Sequence, residues 1–161
     1  MDARIDLFGN DLATTFGKRF ANAAMVIHRS SLPAATQELV SLRTSQINGC
    51  GFCTDMHTKD AAAAGETQER LNMVAAWREA TVFTEAERAA LALAEEGTRV
   101  ADASQGVSDE TWARVREHFD DDQAAALVCL VALVNAANRI NVVARTPAGS
   151  YQPGMFAAMT S

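Results

Sequence analysis

Proline is scarce in this chain, with three residues in 161, at Pro33, Pro147 and Pro153. Few positions therefore forbid a helix, and the heavy use of alanine favours one. Lysine is scarcer still: only Lys18 and Lys59 are present, and the arginines are scattered. With a net charge of −6 there is no basic stripe of the kind that nucleic acid or an anionic membrane surface requires. Long apolar runs are also missing. The longest, Ala124 to Val134, is eleven residues, against the ~20 that a membrane-spanning helix needs. The N-terminal stretch carries acidic side chains early and has no apolar core, so no secretory signal is expected there. Three cysteines, an odd number, fit no disulfide framework. The expectation is a reducing, cytoplasmic compartment, with neither membrane nor nucleic acid as partner. There is no GxGxxG and no P-loop, so no cofactor is expected.

What remains suits one domain over residues 1–161, with 48% hydrophobic and 21% charged residues, enough to bury a core without staples. No stretch alternates β-branched residues as a strand would, so the fold class is all-α, a bundle of about seven helices. A first helix is expected from near Lys18 to His28, and a second carries Glu38 to about Ile47, with Leu39, Leu42 and Ile47 inward. Asn48-Gly49 is a turn signal. A third helix starts near Cys50, runs through Ala61 to Ala64 and is capped by Gly65. A fourth follows Thr67 and includes Leu71, Val74, Ala75 and Trp77. Thr84-Glu85-Ala86-Glu87 is a capping box opening a fifth, to about Glu96. Ser108 caps a sixth with Trp112, Val115 and Phe119 at helical spacing, and Asp120 to Asp122 precede a long seventh to about Ala144. The tail after Pro147 reads as irregular.

The chemistry concentrates between Glu38 and His57. Cys50 and Cys53 are three apart and His57 is four further on, so on a helix all three share a face. The Asn48-Gly49 turn sets both thiols in the first turn of a helix, where unpaired N–H groups and the dipole favour negative charge. Thiolates in such sites have pKa values of roughly 3.5–7.5, against about 8.5 for a free thiol. A thiolate attacks a peroxide oxygen to give a sulfenic acid, and a second thiol condenses with it. Helical spacing holds Cβ atoms about 5–6 Å apart, wider than the ~3.8 Å of a disulfide. The turn must tighten on oxidation, with Gly49 and Gly51 allowing it, and such a bond is readily reduced. Cys53 can exchange a proton with His57, and Glu38 on the preceding helix can orient the imidazole.

Two blander readings compete. The cysteines also fit as small core residues with His57 at the surface. Zinc is the other alternative. Cys50 and His57 lie seven residues apart, roughly 10 Å along a helix axis, and no second CxxC or HxxxH completes a site. No metal is therefore expected. Cys129, within Leu127 to Val131, reads as a buried hydrophobe. His28 and His118 read as helix-end residues. Asn135, Asn138 and Arg139 are polar groups in an apolar helix that satisfy one another, or a subunit neighbour, or line a substrate pocket.

The run Glu38, Leu42, Ser45, Asn48, Cys50, Cys53, His57 resembles the core motif of the alkylhydroperoxidase D-like (AhpD-like) proteins of the carboxymuconolactone decarboxylase superfamily. The sharp match spans about residues 33–65. A looser similarity continues through Trp77-Arg78-Glu79, Thr84 to Arg88 and Asn135 to Arg139. The resemblance implies an all-helical fold, a homo-oligomer (trimer or hexamer) and reduction of a hydroperoxide substrate by the dithiol. By position, Cys53 would be the peroxidatic thiol, Cys50 the resolving thiol that meets the reductant, and His57 and Glu38 the proton relay. It also implies a lipoyl-type dithiol reductant or a peroxiredoxin partner. The best-known peroxidase of the family has a histidine between its cysteines, where this chain has Phe52. The decarboxylase branch works without a CxxC, so the two cysteines argue against lactone decarboxylation. A non-catalytic redox-sensing or scaffold oligomer is the alternative outside enzymology.

Overall fold

A computed structural model describes residues 2–156, and every regular element among them is helical. Helix α1 spans Asp11–His28 and begins well before the expected Lys18, because Asn10 caps it by accepting the Ala13 N–H at 3.0 Å. Only Ile27 of α1 is buried, so its start is marked by the cap rather than by an inward stripe. Helix α2, Ala34–Ile47, likewise starts earlier than Glu38, directly behind Pro33. It is buried nearly all round. Leu39, Val40 and Leu42 are in the core together with Thr36, Gln37, Ser41, Thr44 and Ser45, a pattern with no one-sided stripe. Its hydroxyls turn back on the helix: Ser41 donates to the Gln37 carbonyl and Ser45 to the Ser41 carbonyl, each at 2.8 Å.

Helix α3 spans Gly51–Ala63 and α4 only Gln68–Met73. A 3-10 turn over Val74–Ala76 follows, so the expected fourth helix does not carry Trp77, which is buried beyond the turn. Helix α5, Glu85–Thr98, opens on the expected capping box between Thr84 and Glu87. Helix α6, Asp109–His118, is capped by Ser108. It buries Val115, and Phe119 just past its end, but leaves Trp112 at the surface. Helix α7, Asp121–Ala144, opens on a second capping box, Asp120 with Gln123.

Helices α2 and α5 form the spine between two cores. On one side Val40, Ala90, Leu93 and Ala94 meet Leu127, Leu130, Val131 and Val134 of α7 and Val115 of α6. On the other, Leu39, Leu42, Leu91 and Ala92 meet Ala61, Leu71, Val74, Trp77 and Phe83. Each fully buried leucine or valine contributes about 1.5–3 kcal/mol. Gly97 lets α5 and α7 close up, since a Cβ there would lie 3.0 Å from Val131 Cγ1. Helix α7 is long and apolar enough, by length and composition, to cross a membrane, which the eleven-residue run alone did not suggest. Its inner face instead packs into the core.

Cys129 corrects an expectation. It lies exposed on the outer face of α7 beside the exposed Val128. Both faces of that segment are apolar, so composition does not say which is buried. The irregular tail also has a definite course. Its described part lies along α3: Gly149 N–H donates to Asp55 at 2.9 Å, and Lys59 Nζ donates to the carbonyls of Gly149 and Tyr151 at 3.1 and 3.0 Å. The Tyr151 hydroxyl meets the Asp60 carboxylate at 2.9 Å.

Candidate dithiol site

Gly49 adopts φ +64, a left-handed conformation that lets the chain reverse between α2 and α3. The reversal is fixed by the Cys50 N–H, which donates to the Ser45 carbonyl at 3.0 Å. Cys50 is not in the first turn, as the sequence suggests, but is the N-cap of α3 (φ −81, ψ 95). Its sulfur does what a serine oxygen does elsewhere and accepts the Cys53 N–H at 3.3 Å. Cys53 sits one turn inside. Both thiols are free and each is only 1% exposed.

This arrangement makes the two sulfurs unequal. The Cys53 side chain hydrogen-bonds Cys50 Sγ, and the Cys53 N–H and the Asn138 amide add to it. Against the cost of burial they bring the Cys50 thiol down from 9.0 to about 7. Cys53 is pushed well up, first by that same hydrogen bond to Cys50, then by burial and by charge on Cys50. The amides of Asn138 and Asn141 oppose the rise. The pair therefore behaves as one acid that releases a first proton easily and holds the second.

His57 lies one turn beyond Cys53, and its Nδ1 is 3.0 Å from Glu38 Oε2 on α2. A carboxylate only accepts, so Nδ1 carries the proton and Nε2 is left as the base. All four residues singled out in the sequence thus come together at the junction of α2 and α3. Burial, reinforced by the nearby Glu38 charge, raises the Asp60 carboxyl against the opposing hydrogen bond from Tyr151.

A polar network on α7 completes the site. Asn48, at the end of α2, donates to Asn135 Oδ1 at 3.0 Å and to Asn138 Oδ1 at 2.9 Å. Asn138, fully buried, donates to Ser45 Oγ at 3.1 Å. Arg139 binds the Asn135 side chain and carbonyl, each at 3.0 Å, so those two satisfy one another, whereas Asn138 finds its partners on α2. Asn141 Nδ2 donates to Cys53 Sγ at 3.5 Å. Asn141 and the Asp55, Lys59, Asp60 and Tyr151 set were missed from the sequence. The signal for Asn141 was its three-residue spacing from Asn138; for Tyr151 it was being the single tyrosine.

Fold and site together define an all-helical protein with a buried dithiol at a helix N-terminus and a carboxylate-bound imidazole beside it. Residues 14–96 match the model of the carboxymuconolactone decarboxylase family, and the chain belongs to that family. It is 43% identical over 122 residues to the uncharacterized protein YdfG of Bacillus subtilis, covering 76% of this chain and 82% of that one. A shorter match, 50% identical over 44 residues, joins it to the alkyl hydroperoxide reductase AhpD of Methylocella silvestris, covering 27% of this chain and 25% of that one. Among solved structures, ATU0492 of Agrobacterium tumefaciens, a protein of unknown function, superposes with a TM-score of 0.83 at 30% identity. That superposition covers 93% of this chain and all of the other. The debrominase Bmp8 shares the fold, with a TM-score of 0.72 at 18% identity over 86% of this chain and 76% of its own.

Proposed function

We propose that this protein is a thiol-dependent peroxidase that reduces hydroperoxides with the Cys50–Cys53 dithiol, with His57 and Glu38 as its proton relay. The observation that carries this reading is the sulfur pair itself: two free, buried thiols joined by the Cys53 N–H donating to Cys50 Sγ, one of them brought to about 7, beside an imidazole held by a carboxylate. His57 Nε2 takes one proton from the pair, and the imidazolium is stabilised by Glu38. The remaining proton lies on Cys50 when Cys53 attacks. The Cys53 thiolate bonds to the terminal peroxide oxygen, the O–O bond breaks, and the departing alkoxide takes the proton from His57. The products are an alcohol and a Cys53 sulfenic acid. The Cys50 thiol then condenses with that sulfenic acid, releasing water and forming the disulfide. An external dithiol, of lipoyl type or on a peroxiredoxin partner, returns two electrons and two protons.

The compartment proposed is the reducing cytoplasm, where such a disulfide is turned over. We further propose assembly as a trimer or hexamer. Leu12 is 79% and Val26 73% exposed on α1, with Phe16 beside them and Val128, Val142 and Val143 on α7. A single chain leaves this apolar surface in water, and association would cover it. Light scattering that shows a monomer at micromolar concentration would remove this part of the proposal.

Purified protein tested with cumene hydroperoxide and hydrogen peroxide, with dihydrolipoamide as reductant, provides the assay. Turnover that Cys53→Ser abolishes, and that Cys50→Ser limits to one equivalent, is the expected result. No peroxide loss by fully reduced wild-type protein would refute the proposal.

A further inference from the structure

No lysine or arginine side chain hydrogen-bonds either sulfur among the described residues, so the negative charge of the pair rests on neutral donors. These donors are not shared equally. Cys50 has the Cys53 N–H, whereas Cys53 Sγ has the Asn141 amide at 3.5 Å. An asparagine amide carries two N–H bonds. In Asn141 one is committed to the Ala137 carbonyl at 3.0 Å, one helical turn back, and this fixes the side-chain rotamer. The second is directed at the sulfur. The titratable groups bearing on the pair are the two thiols and His57, with Glu38 behind it. From α7 come the uncharged Asn138 and Asn141. On the outer side of α3, Asp55 and Lys59 pair with each other and with the tail backbone.

We propose that Asn141 is a catalytic residue: its side-chain amide donates to Cys53 Sγ and so stabilises the less populated, attacking form of the dithiol, in which the single negative charge lies on Cys53 rather than on Cys50. The inference rests on the peroxidase reading for its catalytic meaning, but the charge placement stands apart from it. The proton involved moves from Cys53 Sγ to Cys50 Sγ, with no net gain or loss, converting Cys50–S⁻ and Cys53–SH into Cys50–SH and Cys53–S⁻. Without Asn141 only the Asn138 amide, which acts on both sulfurs, offsets the cap donor on Cys50, and the form charged on Cys53 becomes rarer. Asn141 lies on α7, outside the residues 14–96 that define the family match.

The test uses Asn141→Ala, which suits a helix interior, and Asn141→Asp, which keeps the shape but removes the donor. Reduced protein is labelled briefly with iodoacetamide at pH 7, and the labelled fraction at each cysteine is read by mass spectrometry. Thermal unfolding checks the fold of each variant. The ratio of Cys53 to Cys50 labelling should fall at least fivefold in both variants. In a Cys50→Ser background, the midpoint of Cys53 alkylation should rise by about one pH unit, about tenfold in rate at pH 7. An unchanged ratio and midpoint in either folded variant would overturn the inference. If the ratio moves but wild-type protein consumes no peroxide, the charge role of Asn141 holds and the peroxidase reading fails. If peroxide is consumed and the ratio does not move, Asn141 alone is refuted.

Discussion

Replacing Cys53 by alanine should lift the Cys50 thiol out of the neutral range, whereas replacing it by serine should not. In the native pair the Cys53 side chain is the largest influence lowering Cys50, ahead of the Cys53 backbone N–H and the Asn138 amide. Alanine removes the side-chain donor and keeps the backbone one; serine keeps both. A thiol at about 7 is about half ionised at pH 7, while one at its ordinary 9.0 is ionised to about one part in a hundred. Because alanine preserves the backbone donor, the loss falls between these limits, about tenfold at pH 7. The sign is fixed: a lowered thiol is reactive above its folded pKa, so the alanine variant should need higher pH to reach the same rate. Iodoacetamide alkylation of Cys50 from pH 5 to 10, with 240 nm absorbance as a second record of thiolate, reads both midpoints. Rates for the alanine and serine variants within twofold of one another at pH 7 would show that Cys53 does not act as a donor to Cys50.

Glu38→Gln should slow peroxide consumption about tenfold at pH 7 and move the rate profile to higher pH. Unchanged kinetics there would remove the carboxylate from the relay. His57→Ala should be the more severe of the two, with a melting temperature close to wild type in both, since each side chain is only partly buried. Asn138→Ala removes one of the two acceptors of the Asn48 amide and the donor to Ser45 Oγ, and should cost about 1–3 kcal/mol in urea unfolding. Leu42→Ala, within the second core, should cost about 2–5 kcal/mol by the same measurement. Tyr151→Phe removes the donor that holds Asp60 down, so that carboxyl should titrate at still higher pH by carbon-13 NMR. A fixed titration would mean the tail does not bind α3 through Tyr151.

The capping box at Thr84, the serine cap at 108 and the Asn48-Gly49 turn were readable because each is a local hydrogen-bond pattern written within four residues; the box of Asp120 with Gln123 is equally local but was read only as an acidic run before the helix. The four-residue site was readable because Cys50, Cys53 and His57 lie on one short segment and Glu38 on the helix just before it. What was not readable depended on distant packing. Cys129 stands in an apolar run whose outer face is as apolar as its inner one, so composition gave no direction of burial. Trp77 was lost from its helix because the chain tightens into a 3-10 turn to bury the indole, a tertiary demand overriding local propensity. Asn141 was overlooked since its partner is 88 residues away. The N-cap position of Cys50 was missed by a single residue, and that residue matters: as a cap its sulfur gains the Cys53 N–H that an internal position would have spent within the helix.

That cap position also bears on how a disulfide here would behave. A helix N-cap stabilises its acceptor most when the acceptor carries charge. Cys50 can carry charge only as a thiolate; in a disulfide its sulfur is a weak, neutral acceptor. The Cys53 N–H and the Asn138 amide therefore favour the reduced, singly ionised pair over the oxidised one, which raises the reduction potential of the disulfide. A low thiol pKa has a second consequence, since a sulfur that is stable as a thiolate leaves readily when a reductant attacks its partner. The expected traffic has the reductant arriving at Cys50, whereas leaving-group stability favours attack on Cys53 with Cys50 departing. Burial does not separate the routes, because both sulfurs are equally hidden in a single chain. The two routes give different mixed disulfides. A reductant bearing one trapping thiol, added to oxidised protein, should be captured on Cys53 if leaving-group stability decides and on Cys50 if the resemblance to the AhpD-like proteins carries over in full. Peptide mapping of that adduct reads the answer directly, and capture on Cys50 alone would refute the argument from the cap.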